Sequence, residues 1–276
     1  MAESRMIERK KNSVMWPCVL TVAGSDSGGG AGIQGDLKTF AALHTYGLSA
    51  ITAITAQNTQ RVSSVFPVPA KMVGQQMSAV LDDFPVKAIK LGMLCDHGIV
   101  AMVIDQLGQY PDIPVVLDPV VMSSSGQQLL SDEGLQLLIE RLLPRVALLT
   151  PNVDEVALIL GVSVETVLSA PEKCAQGILG LGCSAVLLKG GHRPGEQCED
   201  LLIDSSGSYR YSAERVNTKN THGTGCTLSA AIAAAIAKDR RLSQAVGEAK
   251  RYLQSSLLAA KSLEFGRGYG PLQHFH

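Results

Sequence analysis

Short aliphatic and β-branched runs at residues 18–23, 49–57, 87–91, 114–117, 146–150 and 185–188 alternate with longer stretches of helical spacing. Those stretches cover 31–46, 70–84, 97–107, 131–143, 153–160 and 171–181, with Ser131 placed to cap its helix. A strand, a helix and another strand in regular succession predict βαβ units. The sheet they build is largely parallel and covered by helices on both faces. Residues 198–204 and 208–212 break the rhythm, joined by Ser205, Ser206 and Gly207, and predict a hairpin on the sheet edge. Two helices close the chain. The second, over 243–261, repeats Val246, Ala249, Leu253, Leu257 and Ala260 at helical intervals. No Ser/Pro-rich linker, repeat or low-complexity block interrupts the pattern, so 17–276 are expected to form one domain. The polar, charged residues 1–16 are expected to be a disordered tail.

Composition narrows the class. Of 276 residues 46% are hydrophobic but only 4% aromatic, so Ala, Leu, Val, Ile and Gly must fill the core, as in sheets wrapped by helices. The net charge of −1, with no basic stripe beyond the first residues, argues against nucleic acid as a partner. Six cysteines without CxxC spacing suit free thiols in a cytoplasmic protein rather than disulfides or a zinc site. No apolar stretch approaches the roughly 20 residues that span a bilayer. Residues 16–23 are short, contain Pro17 and lack an Ala-x-Ala pattern, so they predict a strand and not a signal peptide.

Candidate chemistry gathers where the strands end. A glycine-rich loop occupies 24–32, Gln57 ends the second run, Gly92 and Met93 follow the third, and Asp118 and Pro119 the fourth. Thr150 to Glu155 follow the fifth run, and Lys189 to His192 the sixth. In open α/β sheets ligands bind beyond the C-terminal strand ends, so these tips predict one shared cleft. The most informative segment is NTKNTHGTGC at 217–226, which runs into the small-residue helix that follows. Free N–H groups and the helix dipole at such a start favour an anion, and Gly223 and Gly225 let backbone press against it. Thr218, Thr221 and Thr224 add hydroxyls that a plain turn does not need.

Several residues admit two readings. Gly30-x-Gly32-x-x-Gly35 matches a dinucleotide fingerprint, but the second strand ends in the amide Gln57 instead of the acid that would hold a ribose. A nicotinamide oxidoreductase is therefore disfavoured. Asp36 is either a solvated helix carboxylate or part of the site. No GxxxxGK[ST] occurs, so phosphate falls to the Thr/Gly loop, with Lys189 offering an ammonium. Asn152 and Glu155 either hold Mg²⁺ through waters or cap a helix. Gln57 both donates and accepts, which suits an amino-bearing heteroaromatic ring. Met93 is a soft contact for such a ring or ordinary core. Cys226, at a helix N-terminus, is a reactive thiolate or packing. His222, four residues earlier, has no assigned geometry. His44, His97, His274 and His276 are expected in loops or at the surface.

The blocks AGSDSGGGAGIQGDLKTFAAL, SAITAITAQNT, KLGML, VVLDPVV, LLTPNVDE, LLKGGH and NTKNTHGTGCTLSAAIAA, with the ending GRGYGPLQHFH, resemble the hydroxymethylpyrimidine/phosphomethylpyrimidine kinases of bacterial thiamin biosynthesis. These belong to the ribokinase-like superfamily, which usually carries GTGD where this chain has GTGC. The resemblance implies a three-layer α/β/α sandwich with a mostly parallel central sheet, usually a homodimer. It implies ATP-dependent phosphorylation of 4-amino-5-hydroxymethyl-2-methylpyrimidine and then of its monophosphate. On this likeness Gln57 bonds the pyrimidine, and Gly24, Ala31, Thr55, Met93, Val120 and Cys226 surround it. Thr55 departs from the aliphatic residue common there. Lys189, Thr218, Gly223 and Gly225 serve the nucleotide, and the backbone of Gly223, Thr224, Gly225 and Cys226 stabilises the phosphoryl group in transfer. Asn152 and Glu155 match the Mg²⁺ motif, Asp36 lies near the transferred phosphate, and Cys226 takes the base position. A pyridoxal kinase is the near alternative, and a non-catalytic pyrimidine sensor the distant one.

Overall fold

Strand β1 (Cys18–Asp26) lies near the middle of a nine-stranded sheet of order β3-β2-β1-β4-β5-β6-β7-β8-β9. This is a computed structural model, and it describes residues 16–122, 126, 128–191 and 195–276. Apart from Trp16, the expected disordered tail lies outside the described residues, as does His192.

β2 (Tyr46–Gln57), β4 (Val86–Leu91), β5 (Val115–Leu117), β6 (Leu148–Leu149) and β7 (Ala185–Leu188) run parallel to β1. The two edges are antiparallel. β8 (Gln197–Asp204) and β9 (Gly207–Glu214) form the expected edge hairpin, whose turn is closed by Asp204 Oδ1 accepting from the Ser206 and Gly207 amides. The opposite edge is β3 (Val62–Pro67), which pairs antiparallel with β2. β3 has no counterpart in the sequence expectations, because its exposed Ser63 and Ser64 interrupt any apolar alternation.

Helices cover both faces. On one side α2 (Ala70–Leu81), α3 (His97–Gln109), α4 (Asp132–Leu137), α5 (Val153–Leu160), α6 (Val164–Ser169) and α7 (Pro171–Leu179) pack on Leu20, Val22, Ile89, Leu91, Leu149 and Val186. On the other, α1 (Gly32–Ala42), α8 (Thr224–Ile236) and α9 (Leu242–Ala260) pack on Val19, Ala88, Val116, Leu148 and Leu187. Successive strand residues thus serve opposite layers, as the pleat requires. The result is the three-layer α/β/α sandwich expected. α8 is buried almost all round, and its run of alanines lets it sit close to β4 and β5, between α1 and α9.

Several elements differ from expectation, and some of the differences have a clear local cause. α1 stops at Ala42, because His44 takes a left-handed φ of 56° and Thr45 turns its hydroxyl back to Phe40 O. The helix expected over 131–143 is α-helical only to Leu137. It widens into a π-helical turn and tightens to a 3₁₀ turn at Pro144, which has no N–H to continue the ladder. α6 is an extra short helix capped by Ser163. Among the described residues no helix is long and apolar enough to cross a membrane.

Candidate active site

Beyond the C-terminal strand ends lies a cleft of about 950 Å³. It runs from Gly24 and Met93, past Gly225, to Lys250 and Gln254 on α9.

At one end, the glycine-rich loop is wound around Asp26. Its Oδ1 accepts from Gly28 N at 2.7 Å, and its Oδ2 from Gly30 N at 3.0 Å and Ala31 N at 2.9 Å. His222 Nε2 lies 2.8 Å from the same Oδ2 and 3.4 Å from Gln57 Nε2. Burial alone would raise the Asp26 pKa, but the His222 hydrogen bond and the loop amides hold it below the usual carboxylate range. A wall of Asp26, His222 and Gln57 results, all polar and all fixed. Gly30 is forced by this wall, since a Cβ there would sit 2.5 Å from His222 Cδ2. Thr55 explains its own departure from an aliphatic residue. Its hydroxyl donates to Ser25 O at 2.9 Å and lies 3.2 Å from Gln57 Oε1, so it orients the amide. Met93 closes the floor of this end, where Gly24 leaves room for its methyl group.

In the middle, α8 begins at Gly223, whose φ of 87° is left-handed. A Cβ on Gly223 would lie 1.9 Å from Gly30 O, so the two glycine loops touch backbone to backbone. Thr224 N donates to Thr221 O and Thr227 N to Gly223 O. The amides of Gly225 and Cys226, in the first turn between them, have no preceding helical turn to bond. A Cβ on Gly225 would lie 3.3 Å from both Asp118 Oδ2 and Lys189 Nζ. The helix start therefore faces the Lys189–Asp118 ion pair across the cleft.

Lys189 donates to Asp118 Oδ1 at 2.6 Å and lies 3.9 Å from Glu155 Oε2. Burial would lower its pKa, but the two carboxylates carry it above the ordinary lysine value. Glu155 is pushed up to about 7, by burial first and by the Asp118 charge, with Lys189 opposing. Asn152 and Glu155 form a reciprocal capping box at 2.8 Å in each direction, so the side-chain oxygen of Asn152 is committed to the helix. Of the two readings these residues allowed, capping is the geometry seen. Among the described residues no three of His, Cys, Asp or Glu cluster around a metal position.

Cys226 is half-buried in the cleft, and burial pushes its pKa up to about 11, with Lys90 partly opposing. The low-pKa thiolate expected of a helix N-terminus is thus overruled by desolvation. Asp36 is no solvated carboxylate, being fully buried; its Oδ2 is bound 2.8 Å from Lys90 Nζ, and it stands outside the cleft lining. Thr218 also stands outside the cleft lining, where its hydroxyl accepts from Asn220 N at 3.1 Å. His274 is buried rather than superficial. It is bonded to Thr227 Oγ1 at 3.1 Å, and burial drives its pKa down to about 4. The remaining candidates, Val120, Ala31, Thr224 and those above, share the one cleft. Asp26, Asp118 and His222 are the functional candidates that sequence reasoning left without a role. The six cysteines are free thiols, as expected.

A family model described as phosphomethylpyrimidine kinase matches residues 26–273. A hydroxymethylpyrimidine/phosphomethylpyrimidine kinase of Rhizobium meliloti is 48% identical over 262 residues, covering 95% of this chain and 98% of the relative. The crystal structure of a phosphomethylpyrimidine kinase from Clostridium difficile superposes with a TM-score of 0.77 at 39% identity, over 87% of this chain and 99% of that one. A pyridoxal kinase from Staphylococcus aureus, in complex with AMP-PCP and pyridoxal, superposes with a TM-score of 0.85 at 30% identity, over 95% of this chain and 94% of that one.

Proposed function

The chain belongs to the phosphomethylpyrimidine kinase family, and from that premise we propose that it phosphorylates 4-amino-5-hydroxymethyl-2-methylpyrimidine with ATP, and then the monophosphate, in thiamin biosynthesis. The observation that carries this reading is a single cleft with a polar wall at one end and a helix start beside a lysine at the other. Gln57, His222 and Asp26 form the wall, and the α8 start stands with Lys189.

In this mechanism Gln57 pairs with the aminopyrimidine, while Met93, Val120 and Ala31 pack on the ring. The hydroxymethyl oxygen then points toward the start of α8. The amides of Gly225 and Cys226 receive the charge on the travelling phosphoryl group, and Lys189 shares it. Such transfer is mostly positioning and electrostatics. The Cys226 thiol, neutral near pH 7, serves as packing rather than as the base. Mg²⁺ is the metal this reaction implies. Asp118 and Glu155, whose carboxylates converge on Lys189, would supply oxygen donors to hold it. When bound it neutralises phosphate charge. Thr218 supports the loop from outside the cleft. On this reading the enzyme works in the cytoplasm, without a nucleic-acid partner. As in the family it is taken to be a homodimer, consistent with exposed Ile54, Phe66 and Met72 around the β2–β3 edge.

The test is ATP consumption with the pyrimidine alcohol, its monophosphate and pyridoxal side by side. Turnover with the first two is expected, with one ATP spent at each step. Turnover with pyridoxal alone would replace this reading by the second one, pyridoxal kinase activity, which the likeness to the Staphylococcus aureus structure favours. ATP and pyrimidine binding without turnover would mark a sensor.

A further inference from the structure

Lys90 is the penultimate residue of β4, on the face that Ala88 presents to α8, and its side chain is completely buried. Its Nζ donates to Asp36 Oδ2 at 2.8 Å, and Thr21 Oγ1 donates to that same oxygen at 2.6 Å. Asp36 Oδ1 has no hydrogen-bond partner although it is sealed from water. An ammonium carries three N–H donors. Only the bond to Asp36 Oδ2 is formed by Lys90 among the described residues.

Two further observations tie this pair to the cleft. Lys90 lies directly beneath the cleft floor, whereas Asp36 does not border the cleft. Gly92 accommodates the folded side chain, because a Cβ there would stand 2.9 Å from Lys90 Nζ and 2.9 Å from Ala23 Cβ. The pair is therefore an oriented dipole with its positive end toward the cleft. The charges that face the ammonium are Asp36 on α1 and Asp118 beyond β5, with the neutral thiol of Cys226 on α8 beside them. Taking two ions out of water is costly, and apolar residues of similar volume often replace such pairs without loss of stability. An incompletely bonded pair is a poor device for holding a fold together.

We infer that Lys90 is a positioning residue for phosphoryl transfer, its ammonium anchored by Asp36 so that a fixed positive charge stands behind the start of α8. It acts on the transferring group through the helix start and needs no contact with substrate. Preorganised charge of this kind favours the transition state over the ground state. The inference rests on the kinase reading above. Wild-type turnover, run in the same assay, tells the failure of that reading apart from the failure of this one.

The experiment removes both charges together, so that neither ion is stranded. One variant is apolar, Lys90→Met with Asp36→Leu. The other keeps amide hydrogen bonding, Lys90→Gln with Asp36→Asn. Both are expected to melt near the wild-type temperature, to keep KM for ATP within about twofold, and to lose roughly tenfold to a hundredfold in kcat. That is less than the ~10²–10³ of a direct donor. Lys90→Arg, with Asp36 intact, is expected to recover part of kcat. Wild-type kcat in either folded double variant overturns the inference. Failure of both to fold also overturns it, because the pair would then be serving stability.

Discussion

Two lysine–aspartate pairs flank the start of α8, and they differ in little but their access to solvent. Lys189–Asp118 is bonded at 2.6 Å with the lysine side chain 15% exposed, while Lys90–Asp36 is bonded at 2.8 Å with both side chains at 0%. Strand position makes the difference. Lys189 lies one residue past the end of β7, out in the cleft, whereas Lys90 lies inside β4, where the pleat aims it under α1 and α8. A phosphate can draw the first ammonium from its aspartate, because the cleft reaches it. Nothing can draw the second. The open pair is built to bind, and the sealed pair to stay where it is.

Removing the open lysine is the harshest test of that contrast. Lys189→Ala should cost about 10²–10³ in kcat/KM, the scale of one lost charge donor at a transition state. Stability should fall as well, since Asp118 and Glu155 are both buried and lose the cation they share. Steady-state kinetics with ATP varied would measure the kinetic cost. A loss smaller than that of the Lys90 double variants would reverse the assignment of the two pairs.

Between the pairs, Gly223→Ala should come next. The added Cβ would meet Gly30 O at 1.9 Å, and the left-handed φ of 87° is unfavourable for alanine. Backbone strain alone costs about 1–2 kcal/mol, and the contact between loops must also open. Thermal melting should fall by several degrees, and kcat should fall with it because the helix start shifts. An unaltered melting temperature would mean that the two glycine loops are not pressed together.

Protonation separates the pairs more gently. Glu155, beside the open lysine, has its pKa raised from 4.5 to about 7. A raised acid favours the folded state fully below the unfolded pKa, and that contribution is lost as pH climbs through the folded value. Stability should therefore decline between about pH 4.5 and 7, by on the order of 1–3 kcal/mol. Asp26 runs the other way, because its depressed pKa adds stability that is lost as pH falls. Denaturant titrations across pH would show the decline, and Glu155→Gln should flatten it. A slope that persists in the glutamine variant would assign it elsewhere.

What could be read from the sequence follows from locality. The hairpin of β8 and β9, the strand-end cleft and the α8 start each depend on neighbouring residues, so spacing exposes them. The Asp26–His222 contact joins residues 196 positions apart, and only folding brings the C-terminal segment over the first loop, through His222 N and Gly270 O. Lys90 escaped notice for another reason. Periodicity treats a lysine as a solvent-facing position, so KLGML suggested a strand and nothing more. A signal was present: a lysine aligned with inward residues, two positions before a glycine. Asp36 needed that partner to make sense. The capping box of Asn152 and Glu155 was legible as one of two readings, since a cap and a carboxylate ligand ask for the same residue types at the same spacing.

The smallest expected effect falls on Cys226, which sits between the two pairs and feels Lys90, Asp36 and Asp118 at once. A helix N-terminus and a nearby ammonium both favour a thiolate, yet burial outweighs them and leaves the group protonated until about pH 11. At pH 7 only ~10⁻⁴ of the protein would carry the thiolate, far too little for a base that alanine could not replace. Cys226→Ala should therefore keep kcat within about twofold, with any change confined to KM for the pyrimidine through lost packing. A kcat loss of a hundredfold, together with a pH profile rising toward alkaline pH in the parent and flat in the variant, would restore the thiolate as base. It would also require the sealed pair to act first on sulfur and only through it on phosphate.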